Sequence, residues 1–167
     1  MTSLSIEILS ITETHIVSFR DCLDSVAQEG LYLGMLKAPS MERVSAFVHD
    51  QIEHGFPQFV AITPDEKVIG WCDVLPYERE MFRHVGKLGM GVHAGYRGQK
   101  IGTCLLNATL EATREYGLEK IELEVYASNA NAIRLYEKLG FVHEGRKRNA
   151  RKTASGYDDI LLMGLLF

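Results

Sequence analysis

Cysteine is scarce in this 167-residue chain, with three residues and no CxxC pair among them. An odd number of widely spaced cysteines builds neither a disulfide framework nor a zinc clip. Cys22, Cys72 and Cys104 are therefore read as buried free thiols in a reducing compartment. Long apolar runs are missing as well. Nothing approaches the ~20 residues needed to span a bilayer, and the opening MTSLSIEILS has neither the basic start nor the apolar core of a signal peptide. A cytoplasmic location and no membrane partner are the expectation. There is no surplus of positive charge: 18 Lys and Arg face 22 Asp and Glu, for a net charge of -4. A protein that covers nucleic acid needs the opposite balance, so no nucleic-acid partner is expected. The six histidines are scattered, and the nearest pair, His49 and His54, points apart on an expected helix, so no metal is predicted.

What is present is the composition of one ordinary globular domain over residues 1–167, 46% hydrophobic and 24% charged. Strand and helix signals alternate. Residues 4–9 alternate as a half-buried strand does. Ile16, Phe19, Leu23 and Val26 mark one helix face. Met41, Val44, Phe47, Val48 and Ile52 mark another, opened by Ser40 and closed by Gly55. Residues 59–63 and 67–75 read as a hairpin about Pro64-Asp65-Glu66. Residues 85–93 form a glycine-rich strand, and Ile101, Leu105, Ala108 and Ala112 a helix ending at Gly117. A second β-α unit begins at 120–126 and its helix ends at Gly140. Residues 141–148 and 157–166 make a last antiparallel pair. The pattern is an α/β mixture with antiparallel strands at both ends.

Two stretches carry chemistry. In GYRGQKIGTCLL (95–106), Gly95, Gly98 and Gly102 stand with Arg97 and Lys100 where a helix opens. Unpaired N–H groups and the positive end of the helix dipole make such a loop an anion site, but a tight turn with two solvated cations accounts equally well for the residues alone. Two better-known phosphate loops fail on spacing. No glycine is followed by Lys and a hydroxyl residue, and Gly89, Gly91 and Gly95 are one residue out for GxGxxG. The second stretch is NANAIRLYEKLGF (129–141). Asn129 suits an N-cap, and Tyr136, seven positions on, lies about 20° short of two full turns. The phenol therefore faces the same way, roughly 10 Å along the axis.

With these two blocks the chain resembles the GNAT superfamily of N-acetyltransferases, which move acetyl from acetyl-CoA to an amine. The first block resembles the family's Q/R-x-x-G-x-G/A pyrophosphate motif, with Arg97 first and Gly102 last. The second resembles N-x-x-A-I-x-L-Y-E-K-x-G-F almost letter for letter. The resemblance implies a mixed central sheet of about seven strands, antiparallel at both ends, flanked by about four helices. One position departs: Lys100 stands where the family usually has glycine. A side chain there would crowd the pyrophosphate if the residue needs positive φ. The expectation is that Lys100 keeps a right-handed helical φ and points its ammonium at a phosphate or into solvent.

The resemblance further implies that Met90, Gly91 and Val92 line the acetyl arm, with His93 at the rim. Arg97, Gly98, Gln99, Lys100, Ile101, Gly102 and Thr103 would hold the pyrophosphate through backbone N–H groups. Asn129 would bond the pantetheine, with Asn131 and Ala132 close to the cofactor. An alkyl amine near pKa 10 is protonated at pH 7, so a base must free it before it attacks. Glu124 stands where a glutamate is the base in the ribosomal-protein alanine acetyltransferases, although its place on an alternating strand with Glu122 and Tyr126 also suits an exposed carboxylate. His84, Glu29 and Glu78 are the other candidates. Tyr136 matches the acid that protonates the departing thiolate, and the Val92 N–H would meet the oxyanion. No cysteine has a nucleophile motif, which favours direct attack in a ternary complex.

In this family the acceptor is chosen by loops that correspond to residues 29–39, 77–84 and 147–157. Tyr32, Leu33, Met35 and Tyr77 could wall an apolar pocket there, and Glu29, Glu78 and Glu80 could draw a cationic amine; ordinary loop packing accounts for the same residues equally well. The expected acceptor is a primary amine of a small molecule or amino acid. A protein N-terminus is the alternative, as is a module that senses acyl-CoA without turnover. The basic run 146–152 reads as a solvated hairpin. Open sheet edges make a homodimer possible.

Overall fold

The computed structural model describes residues 5–167. Leu4, the start of the expected first strand, lies outside the described residues. In chain order the elements are β1 (Glu7–Ser10), α1 (Ile16–Gln28), α2 (Met41–His54), β2 (Gln58–Ile62), β3 (Val68–Pro76), β4 (Val85–Val92), α3 (Ile101–Tyr116), β5 (Lys120–Tyr126), α4 (Ala130–Lys138), β6 (Val142–Thr153) and β7 (Gly156–Leu166). The seven strands run in the order β1-β2-β3-β4-β5-β7-β6. The β1/β2 and β2/β3 pairs are antiparallel, β4/β5 is parallel, and β5/β7 and β6/β7 are antiparallel. The mixed sheet and the four helices are those the resemblance implies. No helix among the described residues is long and apolar enough to cross a membrane.

The chain forms two compact units. The first holds residues 5–75 and Gly89–Gly117. Its helices begin and end where the local chemistry says they should. The Ser40 hydroxyl accepts from the Arg43 N–H at the start of α2, and Gly55 and Gly117 take the left-handed conformation that closes α2 and α3. One face of the sheet buries Val60, Ile62 and Trp71 against Phe19, Cys22 and Val26 of α1 and Val44 and Val48 of α2. The Trp71 ring meets Phe19 edge-on at 5.8 Å. The other face receives α3, whose Leu105 lies over Gly70 and whose Thr109 hydroxyl donates to the Cys72 carbonyl at 3.4 Å.

The second unit holds Pro76–Leu88 and Leu118–Phe167. Within it β5 alternates strictly: Ile121, Leu123 and Val125 are buried, while Glu122 and Glu124 share the opposite face. The terminal hairpin is longer than the periodicity predicts, extending β6 to Thr153. Its run of cations hid it. The run 146–152 lies along β6, where Arg146 pairs with Asp159, Lys147 with Glu124 and Arg151 with Asp158. The positive charge of this hairpin is answered by acids of neighbouring strands.

Candidate active site

The glycine loop has, from its backbone alone, the geometry of an anion cradle. Gly98 has φ 77°, and Lys100, the N-cap of α3, has φ 63° and ψ 10°, so both are left-handed. This overturns the expectation of a right-handed Lys100. The chain must reverse twice between Arg97 and Ile101 to aim the first N–H groups of α3 outward, and the position that the family gives to glycine is the second reversal. A left-handed non-glycine residue costs roughly 1 kcal/mol. Ile101, Gly102 and Thr103 have N–H groups that no helix carbonyl can reach, and left-handed residues beside them form the kind of nest that takes a phosphate. Lys100→Gly should therefore raise stability by about 1 kcal/mol and leave acetyl-CoA affinity unchanged or better. Thermal melting and calorimetric titration with acetyl-CoA measure both. A clear loss of affinity would show that the ammonium, not the backbone alone, holds phosphate.

Arg97 opens the motif, but its side chain turns away from the cradle. Its guanidinium donates to both carboxylate oxygens of Glu29, at 2.7 and 2.6 Å, and through Nε to the Val92 carbonyl at 2.8 Å. It also lies 4.6 Å over the Tyr32 ring. Arg97 thus ties the loop to the end of α1 and to the end of β4. Hydrogen bonding from Arg97 holds Glu29 below the usual carboxylate range, which makes this glutamate a poor base. Tyr32, expected in an acceptor wall, is half of this latch.

On β4 the stretch from Gly89 to Val92 is half-buried and carries two glycines for a reason outside the motif. A Cβ on Gly91 would fall 2.3 Å from Cη2 of Trp71, so the indole occupies the space a side chain would take. Beside it, the Asp73 carboxylate lies over Gly89, 3.4 Å from where its Cβ would be. Asp73 was not among the expected site residues. It interrupts the apolar run VIGWCDVLP as the one charged residue of β3, and that interruption was the available signal. It is 7% exposed, and burial raises its pKa to about 7. Directly opposite on β2 stands Gln58, 3% exposed, with neither amide atom bonded; the same is true of Gln51 on α2.

In the second unit, the Asn129 side chain caps α4 by accepting from the Ala132 N–H at 3.3 Å, and Asn131 accepts from Arg134. Tyr136 is the one buried residue of α4, its ring 5.6 Å from Phe141. Glu124 opens onto a cleft of about 310 Å³ lined by Tyr77, Lys87, Glu122, Glu144 and Lys147 among others. Lys147 donates to its carboxylate at 2.7 Å, and Lys87 lies 3.9 Å away. The Lys147 bond, helped by the Lys87 charge, holds Glu124 below the usual carboxylate range. The cleft alternates charge: acids from β5 and β6, cations from β4 and β6. Cys22 and Cys72 are buried thiols, Cys22 pushed up to about 12 by burial and Cys72 pushed up further by the same cause. Cys104 is exposed, against expectation, because it lies on the solvent side of α3. Among the described residues no group of three His, Cys, Asp or Glu side chains converges as a metal site would.

The model of the "Acetyltransferase (GNAT) family" matches residues 28–141. The chain is 32% identical over 123 residues to N-alpha-acetyltransferase 30 of Xenopus laevis, covering 72% of this chain and 44% of that protein. It is 38% identical over 76 residues to the [Ribosomal protein bS18]-alanine N-acetyltransferase of Escherichia coli, covering 46% of this chain and 51% of that one. The match thus spans about half the length of each of these curated relatives. Among solved structures, that of yncA of Salmonella typhimurium with its cofactor acetyl-CoA superimposes with a TM-score of 0.89 at 17% identity, over 97% of this chain and 94% of that one. The fold, the left-handed loop at the head of α3 and the family model converge: the chain belongs to the GNAT family of acetyltransferases.

Proposed function

We propose that this protein moves acetyl from acetyl-CoA to a primary amine of a small molecule or amino acid, in the cytoplasm, by direct attack within a ternary complex. The observation that carries the reading is the left-handed turn at Gly98 and Lys100, which leaves the first N–H groups of α3 for a pyrophosphate. The residues present fit the cofactor. Backbone from Gly98 to Thr103 would take the pyrophosphate, Met90, Gly91 and Val92 the acetyl arm, and Asn129, Asn131 and Ala132 the pantetheine. Acetyl-CoA supplies the activated thioester. The chain's own part is to place it, to offer the Val92 N–H toward the oxyanion, and to give the leaving thiolate a proton from Tyr136. Two of the three thiols are buried and poorly ionised, which supports attack by the amine itself over an acetyl-enzyme.

The resemblance assigns Glu124 as the base. Its ion pairs make it a carboxylate well suited to holding a cation. As a proton acceptor it would place the acidic limb of the rate profile below the usual carboxylate range, because the Lys147 bond holds it there. A second acceptor class, protein N-termini, is favoured by the names of the two curated relatives. Thiol release from acetyl-CoA across alkyl amines, amino acids, polyamines and N-terminal peptides tests the proposal. Release that depends on a small amine is the expected result. Release only with peptides selects the second class, and binding of acetyl-CoA without any acceptor-dependent release would make the protein a sensor.

A further inference from the structure

We propose that Asp73 is the base that takes the proton from the acceptor amine, a role that rests on the acetyltransferase reading above. On β3 the side chains of Trp71 and Asp73 stand on one face, and on β4 the two positions they cover, Gly91 and Gly89, carry no side chain. The strand expected to hold the acetyl arm therefore carries half-buried glycines here, with the indole over one and the carboxylate over the other. A cationic amine is drawn to such a corner by the carboxylate and by the neighbouring indole.

Packing does not explain Asp73. A buried carboxylate with no cation beside it is costly, and any aliphatic residue would serve this apolar strand better. The polar character is also shared. Gln58, its cross-strand partner, and Gln51 of α2 keep four buried amide atoms without a bond, where aliphatic side chains would fill the same volume. Asp73 and Gln58, a buried carboxylate and an unbonded buried amide facing each other across two strands, break local rules together, as functional sites do more often than structural ones.

The surroundings leave Asp73 free to act near neutral pH. Gln58 faces it from β2 and Gly89 from β4, and neither is charged. The face of α1 and α2 packed on this side of the sheet brings Phe19, Val44 and Val48, also uncharged. Along β4 the same face continues to Lys87 and His93, two and four residues from Gly89, and on β3 the neighbouring Cys72 is a buried thiol. Burial alone raises its pKa to about 7, into the range where a carboxylate can accept a proton near neutral pH.

The ammonium R–NH3+ gives one proton to the Asp73 carboxylate and becomes a neutral amine. Its lone pair forms the C–N bond, the tetrahedral adduct collapses, and the C–S bond breaks. The adduct nitrogen loses one proton as the thiolate gains one. Asp73 then returns its proton to solvent, which accounts for the single proton released per acetyl moved.

The test has two arms. In the first, the 13Cγ signals of aspartate-labelled protein are titrated, with Asp73→Asn to assign the resonance. A carboxyl titrating near pH 7 is expected, and one titrating near the ordinary value of about 3.9 would overturn the proposal. This arm needs no acceptor. In the second, kcat is followed against pH with the best small amine from the thiol-release panel. Asp73→Asn should lower kcat at pH 7.5 by about 10²-fold, leave the acetyl-CoA KM within about threefold, and abolish the acidic limb near pH 7; Glu124→Gln should keep that limb. If Asp73→Asn retains the limb and Glu124→Gln loses it, Glu124 is the base and Asp73 is not. If no amine releases thiol from the wild type, the acetyltransferase reading fails and the base goes with it, whatever the carboxyl titration shows.

Discussion

Replacing Tyr136 by phenylalanine should lower kcat by about 10²-fold or more while the protein stays folded. The departing thiolate must be protonated as the tetrahedral adduct collapses, and a positioned phenol contributes typically 10²–10⁴-fold to such a step. Tyr136 is the buried residue of α4, held by Phe141 on one side and fixed along the helix by the Asn129 cap seven residues earlier. The substitution keeps the ring and removes only the hydroxyl, so its stability effect is that of one hydrogen bond, about 1 kcal/mol. Stopped-flow thiol release at saturating amine, with thermal melting of the same samples, separates chemistry from folding. Turnover within about threefold of wild type would remove Tyr136 from the mechanism. If Tyr136 only packs, the two proteins will be alike in both measurements.

The second large effect is expected from Gly91→Ala. The new Cβ would sit 2.3, 2.7 and 2.9 Å from three atoms of the Trp71 ring, distances at which something must move. The ring is 4% exposed and lies edge-on against Phe19, so its displacement propagates into the packing of α1. Overpacking of this kind costs about 1–3 kcal/mol and occasionally more, which at about 2–4 °C per kcal/mol is a fall in Tm of up to roughly 10 °C. Moving the indole also shifts β4 where the acetyl arm is expected, so acetyl-CoA KM and kcat should both suffer. Gly89→Ala is the control. Its Cβ would meet the Asp73 carboxylate at 3.4 Å, an ordinary contact, and its effect on Tm should be small. Equal losses in the two variants would mean that β4 needs glycine for its backbone and not for the space above it.

Much of the fold was legible because it was written in short-range rules. Ser40 and Gly55 bound α2 through a side-chain cap and a left-handed glycine, and strand β5 has the limits its alternation marks. The terminal hairpin was less legible. Arg146, Lys147 and Arg151 look like a solvated run until acids on neighbouring strands are placed beside them. The site divides in the same way. The Gly98–Gly102 cradle and the Asn129 cap are local motifs, and both form as local geometry. Lys100 misled because a backbone angle cannot be read from a lysine: the turn needs a left-handed residue there whatever the side chain.

By itself, then, the sequence determined the elements, their order, the two motif blocks and the kinship, since each depends on residues within one or two turns of one another. Only the tertiary structure decided what Arg97, Glu124, Gly91 and Asp73 meet. Arg97 meets a glutamate 68 positions away, and Glu124 meets a lysine 23 positions away. Gly91 gives its space to an indole from the neighbouring strand. Asp73 becomes a neutral-range acid only because β2, β4 and the helices above them exclude water from it. Partnership, space and solvent access are properties of the folded neighbourhood, and no spacing along the chain encodes them.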